Sequence, residues 1–407
     1  MQSTQQVKRR RVFYVPGYDP FPPRRYRELY RREGVKQAEI SGYALSMAAQ
    51  DTAAEGYGWT VQTDIDGQIT DTHVTVLAWA DLVQASMQRG VFSAYLLLVR
   101  TLWIFISTGA LWAMIRLRPG PMLAGLWPSG MLVGQLLVAG LAGWGLGAGL
   151  MWLTGGGWLM SLVAWGVGLG FAVALLKAFQ RWDAKLFVYY LLYDFAYTAA
   201  HRGRYDPALA LRLTDFATQV RKALIEGGVD EVLVIGHSSG ASLAVSVVAE
   251  VLRSGVPKDG PALALLTLGE AIPVQSFLPH AHRLRQDLRA LSNSAAITWI
   301  DITAKADGVC FGLCDPVAVT GVAPPDQRWP LVISAAFSEA LTPPTWTRLR
   351  RKFFQLHFQY LAAFDAPRDY DYFQITAGPQ TLSARYQGRK PSPSRIARAL
   401  SPHRSLP

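Results

Sequence analysis

The chain has 407 residues, of which 50% are apolar and 17% are charged, against about 25% charged residues in an average soluble domain. This composition excludes an intrinsically disordered chain, and the presence of only two cysteines excludes a disulfide-stabilised scaffold. The 40 Lys and Arg residues exceed the 29 Asp and Glu residues by 11, which makes nucleic acid and anionic lipid the partner classes to consider.

Residues 1–90 predict short strands joined by tight turns. Residues 12–15 form an apolar run that ends at Pro16-Gly17-Tyr18, which indicates a strand entering a tight loop. An Arg-rich helix is expected at 24–33. Three further segments are interpreted as strands from their apolar spacing: 41–48, 59–64 and 73–80. The last two flank an Asp66-Gly67 turn and are therefore expected to pair.

Residues 91–118 contain an apolar stretch, 95–115, that Arg100 interrupts. Only 15 uncharged residues, 101–115, remain after this arginine, whereas a membrane-spanning helix needs about 20. We therefore expect a buried or interfacial helix in this region.

Residues 119–181 predict a transmembrane hairpin. No charged residue occurs among the 58 positions between Arg118 and Lys177, which is long enough for two spans. We expect the spans at 130–153 and 158–176, with a glycine-rich turn at 154–157. Tryptophans flank both predicted interfaces, and glycines recur at four-residue spacing on each span, which favours close helix packing. These glycines are at positions 143 and 147, 145 and 149, and 166 and 170.

Residues 182–387 alternate between helical and strand-like patterns. Helices are expected at 182–201, 207–226 and 241–253, and strands at 231–235, 262–268, 296–302 and 331–336. This alternation predicts an α/β fold with a mostly parallel sheet covered by helices. The Pro-, Ser- and Arg-rich residues 388–407 are expected to form a disordered basic tail.

The chemistry concentrates at one turn, Gly236-His237-Ser238-Ser239-Gly240, which follows a predicted strand and precedes a predicted helix. In this G-x-S-x-G context Ser238 is the candidate nucleophile, held in a strained turn with its hydroxyl projecting. Gly236 and Gly240 allow the strand and helix to approach, and the Ser239 N–H points toward a developing oxyanion. The alternative interpretation is a Gly/Ser turn in which the serine only caps the helix.

The strand, elbow and helix resemble the α/β-hydrolase superfamily, on its lipase and esterase side. The resemblance covers residues 11–80 and 183–380, with the hairpin inserted between them. It implies an α/β-hydrolase-like sheet and a catalytic acid and histidine that follow the nucleophile in that order. Asp307, in the loop after the strand at 297–302, matches the acid. Asp301, Asp315 and Glu270 are the alternatives, and Asp307 is otherwise an Asp-Gly turn residue.

The resemblance also implies a base and an oxyanion hole. Of the histidines after Ser238, His357 fits the base by order, although it is also compatible with a packed helix face; the others are His280, His282 and His403. His237 is expected to be structural. The second oxyanion donor would be the Tyr18 N–H, in a loop that keeps Gly17 but lacks the family's preceding histidine.

These residues predict a membrane-anchored serine hydrolase that cleaves an ester or a related lipid-like substrate through an acyl-enzyme. An acyltransferase using the same triad and a non-catalytic membrane scaffold are the alternatives. No cofactor or metal is expected, because Cys310 and Cys314 have no neighbouring His or Cys and are interpreted as buried apolar residues. No recognised nucleic-acid motif accompanies the positive charge.

The order of the sheet segments sets the expected topology. The strands before and after the hairpin belong to one sheet in the resembled family, so the chain should cross the membrane an even number of times. Arg116 and Arg118 precede the first span, Lys177 and Arg181 follow the second, and the connecting turn has no charge. The positive-inside rule then predicts a multi-pass protein of the inner cell membrane with its catalytic domain in the cytoplasm. The basic tail is expected to contact anionic lipid through these residues: Arg389, Lys390, Arg395, Arg398 and Arg404.

Overall fold

The structure is a computed structural model that describes residues 6–49, 56–88, 90–257 and 259–406. Eight strands form a single sheet: β1 (Arg9–Val15), β2 (Ala44–Ala49), β3 (Gly58–Ile65), β4 (Gln68–Val76), β5 (Glu231–His237), β6 (Ala262–Leu268), β7 (Thr298–Thr303) and β8 (Leu331–Ser334). Their spatial order is β2-β3-β4-β1-β5-β6-β7-β8. The pairs from β4 to β8 are parallel, and the β2–β3 and β3–β4 pairs are antiparallel. The predicted α/β class with a mostly parallel sheet is confirmed.

Helices occur on both faces of the sheet. The first group precedes the long apolar segment and comprises α1 (Arg24–Ser41), α2 (Ala80–Met87), α3 (Val91–Ser107) and α4 (Ala110–Leu117). The long apolar helices are α5 (Pro119–Thr154) and α6 (Trp158–Arg181). The helices between α6 and β8 are α7 (Asp183–Leu186), α8 (Val188–Ala200), α9 (Pro207–Glu226), α10 (Gly240–Arg253), α11 (Ile272–Ser276), α12 (His282–Ser292) and α13 (Pro316–Thr320). After β8 come α14 (Phe337–Ala340), α15 (Pro343–Leu349), α16 (Phe353–His357), a 3-10 helix (Phe358–Leu361), α17 (Tyr372–Ala377) and α18 (Leu382–Arg385).

The two faces of the sheet carry separate apolar cores because side chains alternate along each strand. On β5, Val232 and Val234 pack into one core with helices α8 to α10 and α12. Leu233 and Ile235 pack into the other core with α1 and residues 337–386. A strand buried on both faces has a continuous apolar sequence, as this one does.

Two strand predictions need correction at their ends. The segment predicted as a strand from residue 41 begins inside α1, which ends only at Gly42, where φ is +75°. The strand predicted at 73–80 runs instead from Gln68 to Val76, because the tight turn pairs Ile65 directly with Gln68. The remaining residues to Ala80 leave the sheet and lead into α2.

The hairpin helices are long and apolar enough to cross a membrane, as predicted. They pack through Gly143 and Gly147 on α5, which face Ala164, Gly168 and Ala172 of α6. In contrast, the remaining predicted glycines have no neighbour within 4 Å of an added Cβ: Gly145, Gly149, Gly166 and Gly170. Only one glycine stripe on α5 therefore forms the helix contact, and the stripe expected at positions 166 and 170 of α6 does not.

The stretch at 95–115 forms two helices, α3 and α4, separated at Gly109, where φ is +74°. The Tyr95 hydroxyl donates to the Leu132 carbonyl of α5, so α3 packs beside the first long helix. Helices α2 and α3 together would be apolar enough for a third crossing, but they are bent by 106°. Strands β1 and β5, which lie before and after the hairpin, are hydrogen-bonded neighbours. Both ends of the hairpin therefore return to the same sheet, which is compatible with an even number of crossings.

The predicted disordered tail is corrected for residues 388–406, which pack along the domain. Ile396 donates to Leu313 and accepts from Asp315, and Leu400 donates to Val319. Arg389 and Arg395 form ion pairs with Asp369 and Asp315. The Pro- and Ser-rich composition does not reveal the hydrogen bonds of Ile396 and Leu400, because they are made by the backbone, which any residue supplies.

Candidate active site

Ser238 lies in a strained turn between β5 and α10. Its φ is +58°, a left-handed conformation that non-glycine residues adopt at a cost and that is common at functional sites. Its N–H donates to the Leu268 carbonyl at 2.9 Å. A Cβ on Gly236 would lie 2.7 Å from Ala241 Cα, and one on Gly240 would collide with the Val15 carbonyl oxygen. Both glycines are thus required for α10 to start this close to the sheet.

The loop after β1 lies against the nucleophile. A Cβ on Gly17 would be 3.0 Å from Ser238 Cβ, so only glycine fits without displacement. The Tyr18 N–H donates to Ser239 Oγ at 2.8 Å, and the Tyr18 carbonyl accepts from the Tyr190 hydroxyl of α8 at 2.5 Å. The two predicted oxyanion donors therefore lie on adjacent backbone segments, but the Tyr18 N–H is bonded to a side chain.

Asp307 and His357 form a buried pair. The loop after β7 carries Asp307, whose Oδ2 accepts from His357 Nδ1 at 2.7 Å while its Oδ1 accepts from the Val309 N–H at 2.9 Å. Burial opposes ionisation of the carboxyl group, but the charge and hydrogen bond of His357 and the Val309 N–H hold its pKa below the ordinary value. Asp307 is therefore an ionised acceptor that fixes the imidazole with its proton on Nδ1.

The His357 imidazole lies next to the nucleophile strand. Its ring centroid is 4.8 Å from that of His237, and its Cε1 would lie 3.1 Å from a Cβ on Gly269. His357 Nε2 is buried and has no hydrogen-bond partner among the described residues. The Ser238 hydroxyl does not bond to it in this conformation. Buried polar atoms of a protein core are usually hydrogen-bonded, so this unpartnered nitrogen is an exception.

His237, the last residue of β5, connects this strand to His357. Its Nε2–H donates to the His357 carbonyl at 3.1 Å. Burial, followed by the nearby His357, lowers the pKa of His237 to about 3. The His237 ring is therefore neutral near neutral pH. It holds the backbone of His357 through this hydrogen bond, which is a structural role.

The alternative acids are occupied elsewhere. Glu270 accepts from the Ile272 N–H at 2.7 Å, and Asp301 accepts from the Thr267 hydroxyl at 2.6 Å. Asp315 caps α13 through the N–H groups of Val317 and Ala318. Of these carboxylates and Asp307, it is Asp307 that hydrogen-bonds a histidine side chain.

The other late histidines lie away from Asp307. His403 Nε2–H donates to the Thr108 carbonyl at 3.0 Å, and His282 Nδ1 lies 3.3 Å from the Ser405 carbonyl. His280 donates its backbone N–H to Arg202. Cys310 and Cys314 are free and buried, and no cluster of three metal-ligating side chains occurs within residues 6–49, 56–88, 90–257 and 259–406.

Asp194 on α8 is a site residue that the sequence did not reveal. It lines a cavity of about 30 Å³ together with Tyr18 and Ser239. Burial raises its pKa to about 7, against the opposing charge of His357. The segment around it is rich in aromatic residues, and nothing in that pattern says which helix face meets the nucleophile. The sequence signal that could have indicated Asp194 is an acidic residue within an otherwise apolar helix, since acidic residues are rarely buried.

The helix that carries Asp194 is set by a local break. The predicted helix at 182–201 is divided at Phe187, where φ is +54°. The Asp183 carboxylate accepts from the N–H groups of Tyr189 and Tyr190 and so satisfies the start of α8. The break separates α8 from the helical residues before it, and α8 then meets the loop after β1 through Tyr190 and the Tyr18 carbonyl.

No model of a known protein family, no curated protein and no solved structure matches this chain.

Proposed function

We propose that this protein is a membrane-anchored serine hydrolase of the α/β-hydrolase type that cleaves an ester or a related lipid-like substrate. The observation that carries the proposal is the buried His357, whose Nδ1 is held by Asp307, whose Nε2 is unpartnered, and whose ring lies against His237, the residue before the strained Ser238. The G-x-S-x-G turn between a strand and a helix supports the same chemistry.

The proposed reaction uses Ser238 as nucleophile, His357 as base and acid, and Asp307 to orient His357. Ser238 Oγ attacks the substrate carbonyl carbon while His357 Nε2 takes the hydroxyl proton, which gives a tetrahedral intermediate. Asp307 keeps the proton of the neutral imidazole on Nδ1 and stabilises the imidazolium that forms. His357 then donates its proton to the leaving alcohol, and an acyl-enzyme on Ser238 remains. Water, activated by the same histidine, releases the acid.

The proposed donors for the oxyanion are both on Ser239, and the loop after β1 orients one of them. The Ser239 N–H lies at the start of α10, where backbone donors favour negative charge. The Tyr18 N–H already donates to Ser239 Oγ, which leaves the hydroxyl proton of Ser239 available for the oxyanion. Ser239 can thus present both its N–H and its O–H to the same oxygen, with the Tyr18 N–H orienting the hydroxyl.

Covalent labelling with a fluorophosphonate tests the assignment. The detergent-solubilised full chain should be labelled, and Ser238→Ala should lose labelling while its thermal unfolding is unchanged. Ser254→Ala, at the exposed end of α10, is the matched control and should be labelled like the parent chain. Equal labelling of Ser238→Ala, or an unlabelled but folded parent chain, would contradict the proposed nucleophile and favour a non-catalytic scaffold.

We further propose that α5 and α6 cross the inner cell membrane and that the sheet lies in the cytoplasm. The base of the hairpin carries Arg118 and Lys177, whereas the turn between the helices has no charge, which supports this orientation. A cysteine at Gly156 should react with an impermeant thiol reagent from outside intact cells, and one at Ser394 in the exposed part of the C-terminal segment should not. The native cysteines are buried and give little background. Labelling at Ser394 from outside would reverse the orientation.

A further inference from the structure

The segment between α15 and α16 combines exposed positive charge with an exposed aromatic ring. Arg348, Arg350, Arg351 and Lys352 are all exposed, and they have no ion pair with an acid in the described part of the chain. Phe353 follows them and is 60% exposed. We name residues 348–353 the basic segment. Unpaired cations next to an exposed aromatic ring are typical of surfaces that contact lipid headgroups.

The basic segment lies at the base of the first long helix. A Cβ on Gly120, in the first turn of α5, would be 3.5 Å from Gly308 Cα. A Cβ on Gly308 would in turn be 3.3 Å from the Phe353 ring. In addition, Arg118 Nε donates to the Gly312 carbonyl at 3.0 Å. The loop that carries Asp307 thus joins the start of α5 to the basic segment.

The same region also meets the end of the second long helix. Phe354 stacks on Phe187 with ring centroids 4.1 Å apart, and Phe187 follows α6 by six residues. The basic segment is therefore continuous with both bases of the hairpin. Where α5 and α6 enter a bilayer, this segment has to lie close to its surface.

We propose that the basic segment binds the anionic headgroups of the membrane that holds the hairpin, with Phe353 entering the interface. Lipid fits better than a soluble polyanion because the charges adjoin apolar helices rather than an isolated groove. The C-terminal segment is a weaker candidate than the sequence indicated, since Arg389 and Arg395 are already paired with acids. The proposal rests on the proposed crossing of the membrane by α5 and α6, but it concerns a surface beyond the catalytic residues and does not depend on hydrolase activity.

Fluorescence quenching in reconstituted vesicles tests this contact. A bimane label on Thr347→Cys, an exposed position on α15, reports on the basic segment, and a label on Gln219→Cys of α9 is the distance control. Nitroxide-headgroup phosphatidylcholine is the quencher, with and without phosphatidylglycerol. We expect stronger quenching at 347 than at 219, and a further increase at 347 when phosphatidylglycerol is present.

Charge removal identifies the cause of that increase. Each cation changes the ratio of surface-bound to unbound basic segment about fivefold at an anionic membrane. Replacing the four cations with glutamine should therefore abolish the phosphatidylglycerol-dependent quenching. The matched control replaces four exposed cations at the end of the domain where β1 begins and α9 ends, and it should retain this quenching: Lys8, Arg9, Arg221 and Lys222. Three results would overturn the proposal. They are equal quenching at 347 and 219, an equal loss of phosphatidylglycerol-dependent quenching in the control variant, or protection of the label at 347 by a soluble RNA oligomer that is the same with and without vesicles.

Discussion

The Ser238 turn and the α5–α6 hairpin both depend on glycine, but their glycines meet different neighbours. At the turn, added Cβ atoms on Gly236 and Gly240 would meet backbone atoms of α10 and β1. In the hairpin, Gly143 and Gly168 touch each other's backbone, whereas Gly145 and Gly149 meet nothing within 4 Å. The turn is fixed by several elements at once, and the hairpin by one line of contact. A substitution should therefore be costly at both glycines of the turn, but in the hairpin only on the line of contact.

The largest expected effect is at the acid. Asp307→Asn places an amide against His357 Nδ1, and its N–H favours the tautomer with the proton on Nε2, which cannot accept from Ser238. We expect ester turnover to fall by roughly 10⁴-fold. Asp369→Asn, on the exposed surface, is the control and should be unaffected. A similar rate for both variants in a nitrophenyl ester assay would show that Asp307 does not orient the base.

The second effect compares the glycines directly. Gly236→Ala puts a methyl group 2.7 Å from Ala241 Cα and Ala244 Cβ, and overpacking of this kind costs about 3 kcal/mol. Gly145→Ala adds the same methyl group to an open helix surface and should change stability by no more than about 1 kcal/mol. Thermal unfolding in detergent measures both. If the two variants have the same melting temperature, the turn is less constrained than its geometry indicates.

The sequence was sufficient for the features that one short motif encodes. The elbow could be predicted because a strand, two glycines and a small-residue helix must occur together for the turn to form. His357 could be selected only by its order in the resembled family. The sequence did not predict helices α14 and α15, which separate it from β8. These helices are short and lie between prolines and aromatics, where local pattern is weak.

Other features were beyond the sequence because they depend on which surfaces meet. The place of Asp194 depends on the rotation of α8 about its axis, which Phe187 and Asp183 set through a backbone break. The packing of residues 388–406 rests on backbone hydrogen bonds to Leu313 and Val319. Composition carries no information about such bonds, so the expectation of disorder was wrong for a physical reason.

The third effect tests whether the two regions act separately. Gly143→Leu should force α5 away from Gly168 and weaken the hairpin, whereas Gly145→Leu should face open space. Because both sites are distant from Ser238, fluorophosphonate labelling rates should agree with the parent chain within about twofold. Slower labelling of Gly143→Leu alone would show that hairpin packing is transmitted to the loop at Gly308.

The smallest expected effect concerns Asp194, whose carboxyl group lies between the two regions on α8. Its pKa is raised to about 7 by burial, so it is neutral below that pH and anionic above it. The anion would stabilise the imidazolium that forms at His357 during acylation, by about 1 kcal/mol or about fivefold in rate. The rise in kcat/KM between about pH 6 and pH 8 should therefore be about fivefold larger in the parent chain than in Asp194→Asn.

The free energy of unfolding of the parent chain should fall over the same pH range in which its kcat/KM rises. A carboxyl group whose pKa is raised in the folded state contributes its full stability below the unfolded pKa of about 3.9, and this contribution is lost as pH rises through 7. Asp194→Asn removes the titration, so its melting temperature relative to the parent chain should increase between pH 4 and pH 8. Asp215→Asn, exposed on α9, is the control and should follow the parent chain in both measurements. If Asp194→Asn also follows the parent chain, the carboxylate does not interact with the base, and α8 serves only to cover the site.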